Sequence, residues 1–175
     1  MAFKMRILLL AVMAVAAIAS AKENEPERCT DVGIYGLLDF WLGKWDVYSG
    51  SELVGTNRIE KVLGGCAVLE HWTGGSGGQG KSLFYVAGDG VWKQVWVTEW
   101  ATRPGGVKEK SRQPTASIND VRFQGVIALP DGRRYLDRTT LTQLETGDVR
   151  QLIEISHDGG DTWETRFDAI YRRSD

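Results

Sequence analysis

Short clusters of turn-forming residues recur along most of the chain. They are Gly50-Ser51, Gly64-Gly65, the glycine-rich stretch 74–80, Gly88-Asp89-Gly90, Pro104-Gly105-Gly106, Asp131-Gly132, Thr146-Gly147-Asp148 and Asp158-Gly159-Gly160. Turns of the Asp-Gly type join consecutive antiparallel strands. The segments between the clusters predict about ten strands: 44–49, 53–62, 66–72, 81–87, 91–100, 106–111, 121–129, 133–143, 149–156 and 162–171. Because closure removes exposed strand edges, the pattern predicts an all-β fold, a single antiparallel up-and-down β-barrel.

The first 21 residues have the pattern of a signal peptide. Lys4 and Arg6 give a positive start, 7–19 is an apolar run of 13 residues, and Ala19-Ser20-Ala21 is a small-x-small cleavage site. A membrane-spanning helix needs about 20 apolar residues, so the run is too short for one, with an uncleaved anchor as the alternative. We therefore predict an exported protein, periplasmic or secreted. The predicted division is signal peptide 1–21, loose N-terminal segment 22–30 and barrel domain 31–175.

The charge balance argues against a nucleic-acid partner. The formal net charge is −2, and removal of Lys4 and Arg6 with the signal peptide makes it −4, from 19 basic and 23 acidic residues. Nucleic-acid binding needs a basic stripe, which this charge pattern does not provide. After cleavage we expect no membrane partner, and the sequence leaves the oligomeric state open.

The two cysteines are predicted to form one disulfide. Cys29 and Cys66 are an even pair in a chain predicted to enter an oxidising compartment. Closing a loop of that length adds roughly 4 kcal/mol in the chain-entropy model. The alternative is a reactive or metal-binding thiol, but the chain has no C-x-x-C and its two histidines are not spaced as partners. We predict neither a metal site nor a cofactor.

The stretch 38–47 is predicted to be a plug that leads into the first strand. Its first half is too apolar for a surface loop, and after Gly43 the period changes to two. Upstream, Asp31 is placed to cap a short N-terminal helix with apolar residues at helical spacing: Ile34, Leu37, Leu38 and Trp41. The polar stretch 110–120 is predicted to be a loop.

Strand alternation predicts an aromatic inner face with a few polar members. One face of strand 91–100 carries Trp92, Gln94, Trp96, Thr98 and Trp100, which is too much apolar area to leave in water. The same rule turns inward Cys66, Val68, Glu70 and Trp72, and in the last strand Trp163, Thr165, Phe167, Ala169 and Tyr171. The predicted inward polar residues are Glu70, Gln94, Thr98, Arg138, Thr140 and Gln151.

So many polar groups are unusual in a purely structural core, and an apolar cavity with a few polar groups is typical of a ligand site. The predicted ligand-binding residues are Glu70, Trp72, Trp92, Gln94, Trp96, Arg138 and Gln151. The alternative is that Glu70 pairs with Arg138 and that the tryptophans simply fill the barrel.

Two local motifs resemble functional signatures. Residues 75–82 read G-S-G-G-Q-G-K-S, a literal match to the phosphate-binding G-x-x-x-x-G-K-[ST] loop, which requires a following helix. Because a β run follows instead, we predict a hairpin loop. Residues 156–163 read S-H-D-G-G-D-T-W, which resembles the Asp-box S-x-D-x-G-x-T-W. We predict a structural hairpin tip there, in which Asp158 bonds turn amides, Gly160 takes a positive φ and Trp163 is the anchor.

Several motifs together resemble an uncharacterised family of exported bacterial proteins. They are D-F-W-L-G-K-W-D-V (39–47), G-T-N-R-I-E (55–60), G-C-A-V-L-E-H-W (65–72), G-K-S (80–82), V-W-K-Q-V-W-V (91–97), V-R-Q (149–151), and S-H-D-G-G-D-T-W with F-D-A-I-Y (156–171). Members are regarded as calycin-like barrels, distantly similar to lipocalins and nitrobindin-type proteins. The resemblance implies a barrel whose end is closed by Trp45 of the G-x-W at 43–45, and a cavity for an apolar ligand. It implies no established activity.

Three functions are compatible with this pattern. The first is a barrel that binds a small apolar or aromatic molecule without chemistry. The second is an enzyme, a hydrolase or isomerase, with Glu70 as base and Arg138 as anion stabiliser. The third is haem binding, which the nitrobindin comparison implies, although neither histidine is predicted to face inward: His71 points out of the barrel and His157 lies in the hairpin tip.

Overall fold

The computed structural model describes residues 28–101, 103 and 105–174. Ten antiparallel strands follow one another in chain order and close into a barrel in which β1 pairs with β10. The strands are β1 Gly43–Ser49, β2 Glu52–Val62, β3 Ala67–Gly74, β4 Gln79–Val86, β5 Trp92–Thr98, β6 Val107–Gln113, β7 Asp120–Ala128, β8 Arg134–Gln143, β9 Val149–Ser156 and β10 Glu164–Arg173. The predicted all-β up-and-down barrel is confirmed. The predicted signal peptide lies outside the described residues.

The N-terminal segment contains short 3₁₀ turns in place of the predicted helix. They span Cys29–Asp31, Gly33–Gly36 and Asp39–Trp41, and a fourth, Leu63–Gly65, connects β2 to β3. Asp31 lies inside the first turn and caps nothing through its side chain. Gly33 and Gly36 explain the difference, since glycine costs helical stability and the segment is too short to form a helix alone.

One end of the barrel is closed by the plug. Trp41 and Trp45 are fully buried, and the Trp45 indole Nε1 donates a 2.8 Å hydrogen bond to the Trp41 carbonyl oxygen. The Arg173 guanidinium lies 4.0 Å from the Trp45 ring centroid and donates a 2.5 Å hydrogen bond to the Leu42 carbonyl oxygen. Trp45 therefore packs between the plug and the last strand, as the G-x-W resemblance implies.

The predicted disulfide between Cys29 and Cys66 is confirmed. The two Cα atoms are 5.0 Å apart across a sequence separation of 37 residues. The bond joins the first 3₁₀ turn to the residue that precedes β3. The plug is thus held covalently at the closed end.

Two departures from the predicted strands matter for the barrel interior. The predicted loop at 110–120 is wrong for its first residues, because β6 continues to Gln113 and buries Lys110. In β10 the pairing with β9 shifts between Thr165 and Phe167, so Arg166 is an extra residue in a β-bulge. Because of this extra residue, the inward-facing positions before the bulge are shifted by one from those that the alternation after the bulge would predict.

Candidate ligand-binding site

A cavity of about 370 Å³ lies at the end of the barrel away from the plug. Its apolar wall consists of Trp72, Trp96, Ile153, Phe167 and Tyr171. Its polar and charged lining consists of Glu70, Gln94, Lys108, Lys110, Thr139, Gln151 and Arg166. The barrel is therefore packed solid at the plug end and hollow at the other.

Two inward glycines make room for the cavity tryptophans. A Cβ at Gly55 of β2 would lie 2.5 Å from Cη2 of Trp72, which belongs to the neighbouring strand. A Cβ at Gly80 of β4 would lie 2.2 Å from Cη2 of Trp96 on β5. Each indole thus occupies the volume that a side chain on the next strand would fill. This arrangement keeps two large rings against the wall.

The cavity floor carries two groups of hydrogen-bonded polar side chains, here together called the polar belt. On one side Gln94 Nε2 donates to Ser82 Oγ at 3.1 Å, and Asn57 Nδ2 donates to Glu70 Oε1 at 2.8 Å. Asn57 Nδ2 also lies 3.3 Å from the Tyr171 hydroxyl, which donates to Gln151 Oε1 at 2.7 Å. The first arc of the polar belt is Gln94, Ser82, Glu70, Asn57, Tyr171 and Gln151.

A second arc of the polar belt is built from charged groups. Lys110 Nζ donates to Thr139 Oγ1 at 2.6 Å and contacts one carboxylate oxygen of Asp137. Lys108 Nζ lies 2.6 Å from the other carboxylate oxygen. Both lysines are on β6 and Asp137 is on β8, and they meet because Gly125 of the intervening β7 has no side chain. One buried carboxylate therefore holds two ammonium groups.

Burial favours the uncharged forms of the two ionisable residues in the first arc, Glu70 and Tyr171. It raises the pKa of Glu70, which the side chains of Ser82 and Asn57 and the charge of Lys110 only partly oppose. Burial, together with the charge of Glu70, also raises the pKa of Tyr171 well above its ordinary value. The hydroxyl of Tyr171 thus stays protonated and available as a donor to Gln151.

In the charged arc, burial prevails at Lys110, whereas the two ammonium groups together prevail over burial at Asp137. Burial lowers the pKa of Lys110 to about 8, against the attraction of Asp137. Burial alone would raise the pKa of Asp137, but the ammonium groups of Lys110 and Lys108 outweigh it and lower that pKa. Asp137 therefore stays ionised at neutral pH and fixes the position of both lysines.

Apart from Oδ1 of Asp137, which contacts the Lys110 ammonium group, two buried acceptors in the polar belt have no hydrogen-bond partner within the described part of the chain. They are Oε1 of Gln94 and Oδ1 of Asn57, whose residues are only 5% and 3% exposed. A buried acceptor without a partner costs about 1–3 kcal/mol, so such groups normally have one. Because Gln94 lines the cavity, a molecule in the cavity can supply its missing donor.

The cavity brings together five of the seven predicted ligand-binding residues: Glu70, Trp72, Gln94, Trp96 and Gln151. Trp92 lies instead at the closed end, where its Nε1 donates to the Ile34 carbonyl oxygen at 3.0 Å. Trp100 lies beyond the end of β5, is 46% exposed, and carries Arg103 over its ring. Thr98 ends β5 and accepts a hydrogen bond from the Trp100 amide.

The prediction that Arg138 and Thr140 face inward is wrong. Arg138 forms two hydrogen bonds with Glu154, of 2.7 and 3.1 Å, and its guanidinium lies 3.7 Å from the Trp163 ring centroid on the outer surface. Thr140 accepts from Arg122 Nε on the same outer face. The inward members of β8 are Asp137, Thr139 and Leu141. Glu70 and Arg138 consequently do not pair, and the bulge in β10 puts Trp163 outside as well.

The sequence prediction missed five residues of the cavity lining: Lys108, Lys110, Thr139, Ile153 and Arg166. The segment 107–113 alternates regularly, but it contains only one apolar residue, so hydrophobic alternation gave no sign of a buried face. Arg166 reaches the cavity only because of the bulge. No pattern in the sequence identifies that extra residue.

Both local motifs are hairpins, as predicted. Residues 75–82 lead from β3 into β4 without a helix. In the Asp-box, Asp158 accepts from the Thr162 amide at 3.0 Å, Gly160 has φ 109° and Trp163 Nε1 donates to the Gly160 carbonyl oxygen at 2.9 Å. Hydrogen bonds from the Ser156 hydroxyl, the Thr162 hydroxyl and the Thr162 amide lower the pKa of Asp158 far below its ordinary range.

Neither histidine of the chain lies in the cavity. His71 points outward, with Nε2 2.8 Å from Glu60 Oε1, and His157 is exposed beside Tyr135. The described residues contain no group of three or more His, Cys, Asp or Glu side chains that can hold a metal ion. No helix within the described ranges is long and apolar enough to cross a membrane.

Comparison with protein-family models and with curated protein sequences finds no match to this chain. The ten-strand barrel is compatible with a calycin-like fold. The cavity and its side chains are therefore the basis for a functional proposal.

Proposed function

We propose that this barrel binds one small, mainly aromatic or apolar molecule in its cavity. The observation that carries the proposal is the unpartnered Oε1 of the buried Gln94 in the lining of a hollow barrel end. An unpartnered buried acceptor costs free energy, and either an ordered water or a ligand with an O–H or N–H group satisfies it. A ligand with an apolar body and a donor would match both the aromatic walls and this acceptor.

The dimensions and walls of the cavity support this ligand class. Its volume of about 370 Å³ is at the small end of ligand pockets, which span about 300–1,000 Å³. Trp72 packs edge to face against Phe167 with ring centroids 6.0 Å apart, so aromatic groups already form one side. Aromatic walls favour planar or aromatic ligands through stacking and edge-to-face contacts.

Catalysis in the same cavity is the second candidate, and one observation favours it. Glu70 has a raised pKa and lines an open cavity, which is typical of a general acid or base. The version that uses Arg138 to stabilise an anion does not fit, because Arg138 lies outside the barrel. A test compares hydrolysis of 2-naphthyl acetate by the protein and by Glu70→Gln. A folded variant with unchanged hydrolysis would contradict this candidate.

Haem binding is not part of the proposal. The comparison with nitrobindin-type proteins implies an axial histidine, and His71 and His157 both lie outside the cavity. Mixing the protein with haemin and finding a shifted Soret band would reverse this judgement.

We also propose that the protein is exported and belongs among the exported calycin-like barrels that its motifs resemble. The Cys29–Cys66 disulfide supports export, since such bonds persist in oxidising compartments. Detection of the protein in the periplasm or medium of its host, starting at residue 22, tests the location. Retention in the cytoplasm with residues 1–21 intact would contradict it.

Native mass spectrometry of the protein purified from its own host tests ligand binding directly. The expected result is a bound mass that is lost on unfolding. The matched pair Ile153→Trp and Leu152→Trp provides the control, because Ile153 lines the cavity and Leu152 pairs with Thr140 and Asp168 on the outer face. Only Ile153→Trp should abolish the bound mass. Equal binding by both variants would place the ligand elsewhere.

A further inference from the structure

The charged side chains in the cavity are mostly cationic. Lys108, Lys110 and Arg166 line it, and Glu70 is the one carboxyl group in the described lining. Asp137 does not belong to the lining, although it touches both lysines. A molecule in the cavity therefore faces two ammonium groups whose shared carboxylate lies behind them.

The two ammonium groups have unused hydrogen-bonding capacity. Each has three N–H donors. Within the described chain, Lys110 donates to Asp137 and Thr139, and Lys108 donates to Asp137. Three donors in all are left to point at solvent or at a ligand. One carboxylate also cannot neutralise two ammonium groups, so a positive charge remains on this wall.

The other ionisable groups near the wall do not cancel that charge. Glu70 is held by Asn57 and Ser82, and burial raises its pKa, which favours the uncharged carboxyl. Arg166 at the mouth lies 3.3 Å from Glu164, and both side chains are more than half exposed. Such an exposed pair contributes little field inside the cavity.

We propose that the ligand is an amphipathic anion whose carboxylate is bound by Lys108 and Lys110, with its aromatic body against Trp72 and Trp96. This inference rests on the proposed binding function and narrows its ligand class. Carboxylates and lysine ammonium groups form short, charge-assisted hydrogen bonds, which are stronger inside a partly desolvated cavity. Gln94 is directly opposite Lys110 in the pairing of β5 with β6, so it lies beside the bound anion.

The test uses 2-naphthoate and 2-acetylnaphthalene, which have the same ring and nearly the same shape and both lack an N–H or O–H donor, but differ in charge. Calorimetric titration of the purified protein should show about tenfold tighter binding of the naphthoate, as expected for charge-assisted hydrogen bonds. Lys108→Met leaves the Lys110–Asp137 pair intact and should reduce the preference to about twofold or less. Lys81→Met is the matched control, because Lys81 is exposed on β4, and it should leave the preference unchanged.

The outcomes separate this inference from the proposed function. Equal binding of the two probes would overturn the anionic ligand and leave small-molecule binding standing. Binding of neither probe, with no bound mass from the host, would overturn both. A naphthoate preference that survives in Lys108→Met but disappears in Arg166→Met would overturn the assignment to the lysines. Circular dichroism of each variant confirms that the barrel is folded.

Discussion

Lys110 and Thr139 are joined by a 2.6 Å hydrogen bond although β7 lies between their strands. The contact passes over Gly125, which pairs with Asp137 on one side and lies beside Glu109 and Lys110 on the other. The charged arc of the polar belt thus depends on the absence of a side chain at one position. The missing side chain at Gly125 also allows the backbones of β6 and β7 to approach each other closely.

Gly125→Ala should lower the free energy of unfolding by about 1–3 kcal/mol, the usual cost of overpacking. The added Cβ would lie 2.0 Å from the Glu109 carbonyl oxygen, and a backbone atom cannot move aside as a flexible side chain can. Urea unfolding measures the change. Gly88→Ala is the control, because a Cβ there meets nothing within 4 Å. Equal stabilities of the two variants would contradict the close approach of the two strands.

Glu70→Gln should become more stable relative to the wild type as the pH rises. Because burial raises the pKa of Glu70 above 4.5, the folded protein binds this proton more tightly than the unfolded chain does. The contribution of Glu70 to stability is therefore present at low pH and is lost as the pH rises through its folded pKa. The glutamine side chain of the variant cannot ionise, and its amide can donate to the orphaned Oδ1 of Asn57.

The measurement is urea unfolding of the wild type and of the variant at pH 4.5 and at about pH 8. Glu109→Gln, on the exposed side of β6, controls for the loss of a negative charge. A stability difference that is the same at both pH values would show that Glu70 ionises as readily in the barrel as in water.

Gln94→Leu should weaken ligand binding while changing stability by less than about 1 kcal/mol. The substitution removes the donor to Ser82 but also removes an unpaired buried acceptor, and these effects oppose each other. Titration with 4-hydroxy-2-naphthoate, whose hydroxyl cannot reach its own carboxylate and is free to donate to Gln94, should show a loss of about tenfold. The loss for 2-naphthoate, which lacks the hydroxyl, should be smaller. Equal losses of affinity for the two probes would mean that Gln94 does not accept a hydrogen bond from the ligand hydroxyl.

The preference for 2-naphthoate over 2-acetylnaphthalene should fall as the pH rises above 8. Lys110 has a pKa of about 8 in the free protein, so its positive charge disappears through that range. A bound carboxylate stabilises the ammonium form and raises that pKa, which moves the fall to higher pH in the complex. Titrations of both probes at several pH values between about 7 and about 10 follow the ratio of affinities. Lys110→Met should show a low ratio that does not vary with pH.

The strands could be predicted because glycine-rich turns and aromatic alternation act over short distances. Gly88-Asp89-Gly90 and Asp131-Gly132 mark their hairpins without any knowledge of the partner strands. The tryptophans of the cavity, Trp72 and Trp96, follow from the same alternation. Local sequence was therefore enough for the barrel and for half of its inner wall.

The charged half of the site depends on contacts that local sequence does not contain. In β8 both faces are polar, so Arg138 and Asp137 are equally plausible inward residues until the partner of each is known. Asp137 is inward because two lysines of β6 reach it past Gly125, whereas Arg138 finds Glu154 and Trp163 outside. The bulge at Arg166 also arises from pairing between β9 and β10.

In the described part of the chain the plug closes one end of the barrel, and this affects the kinetics of exchange. Because Trp45 and Arg173 close one end, a molecule enters and leaves past the connections β1–β2, β3–β4, β5–β6, β7–β8 and β9–β10. The residence time then depends on how far these connections narrow the mouth, and it can be changed without altering any contact at the cavity floor. Variants in the glycine-rich 75–78 turn would change association and dissociation rates together while the equilibrium affinity stays the same.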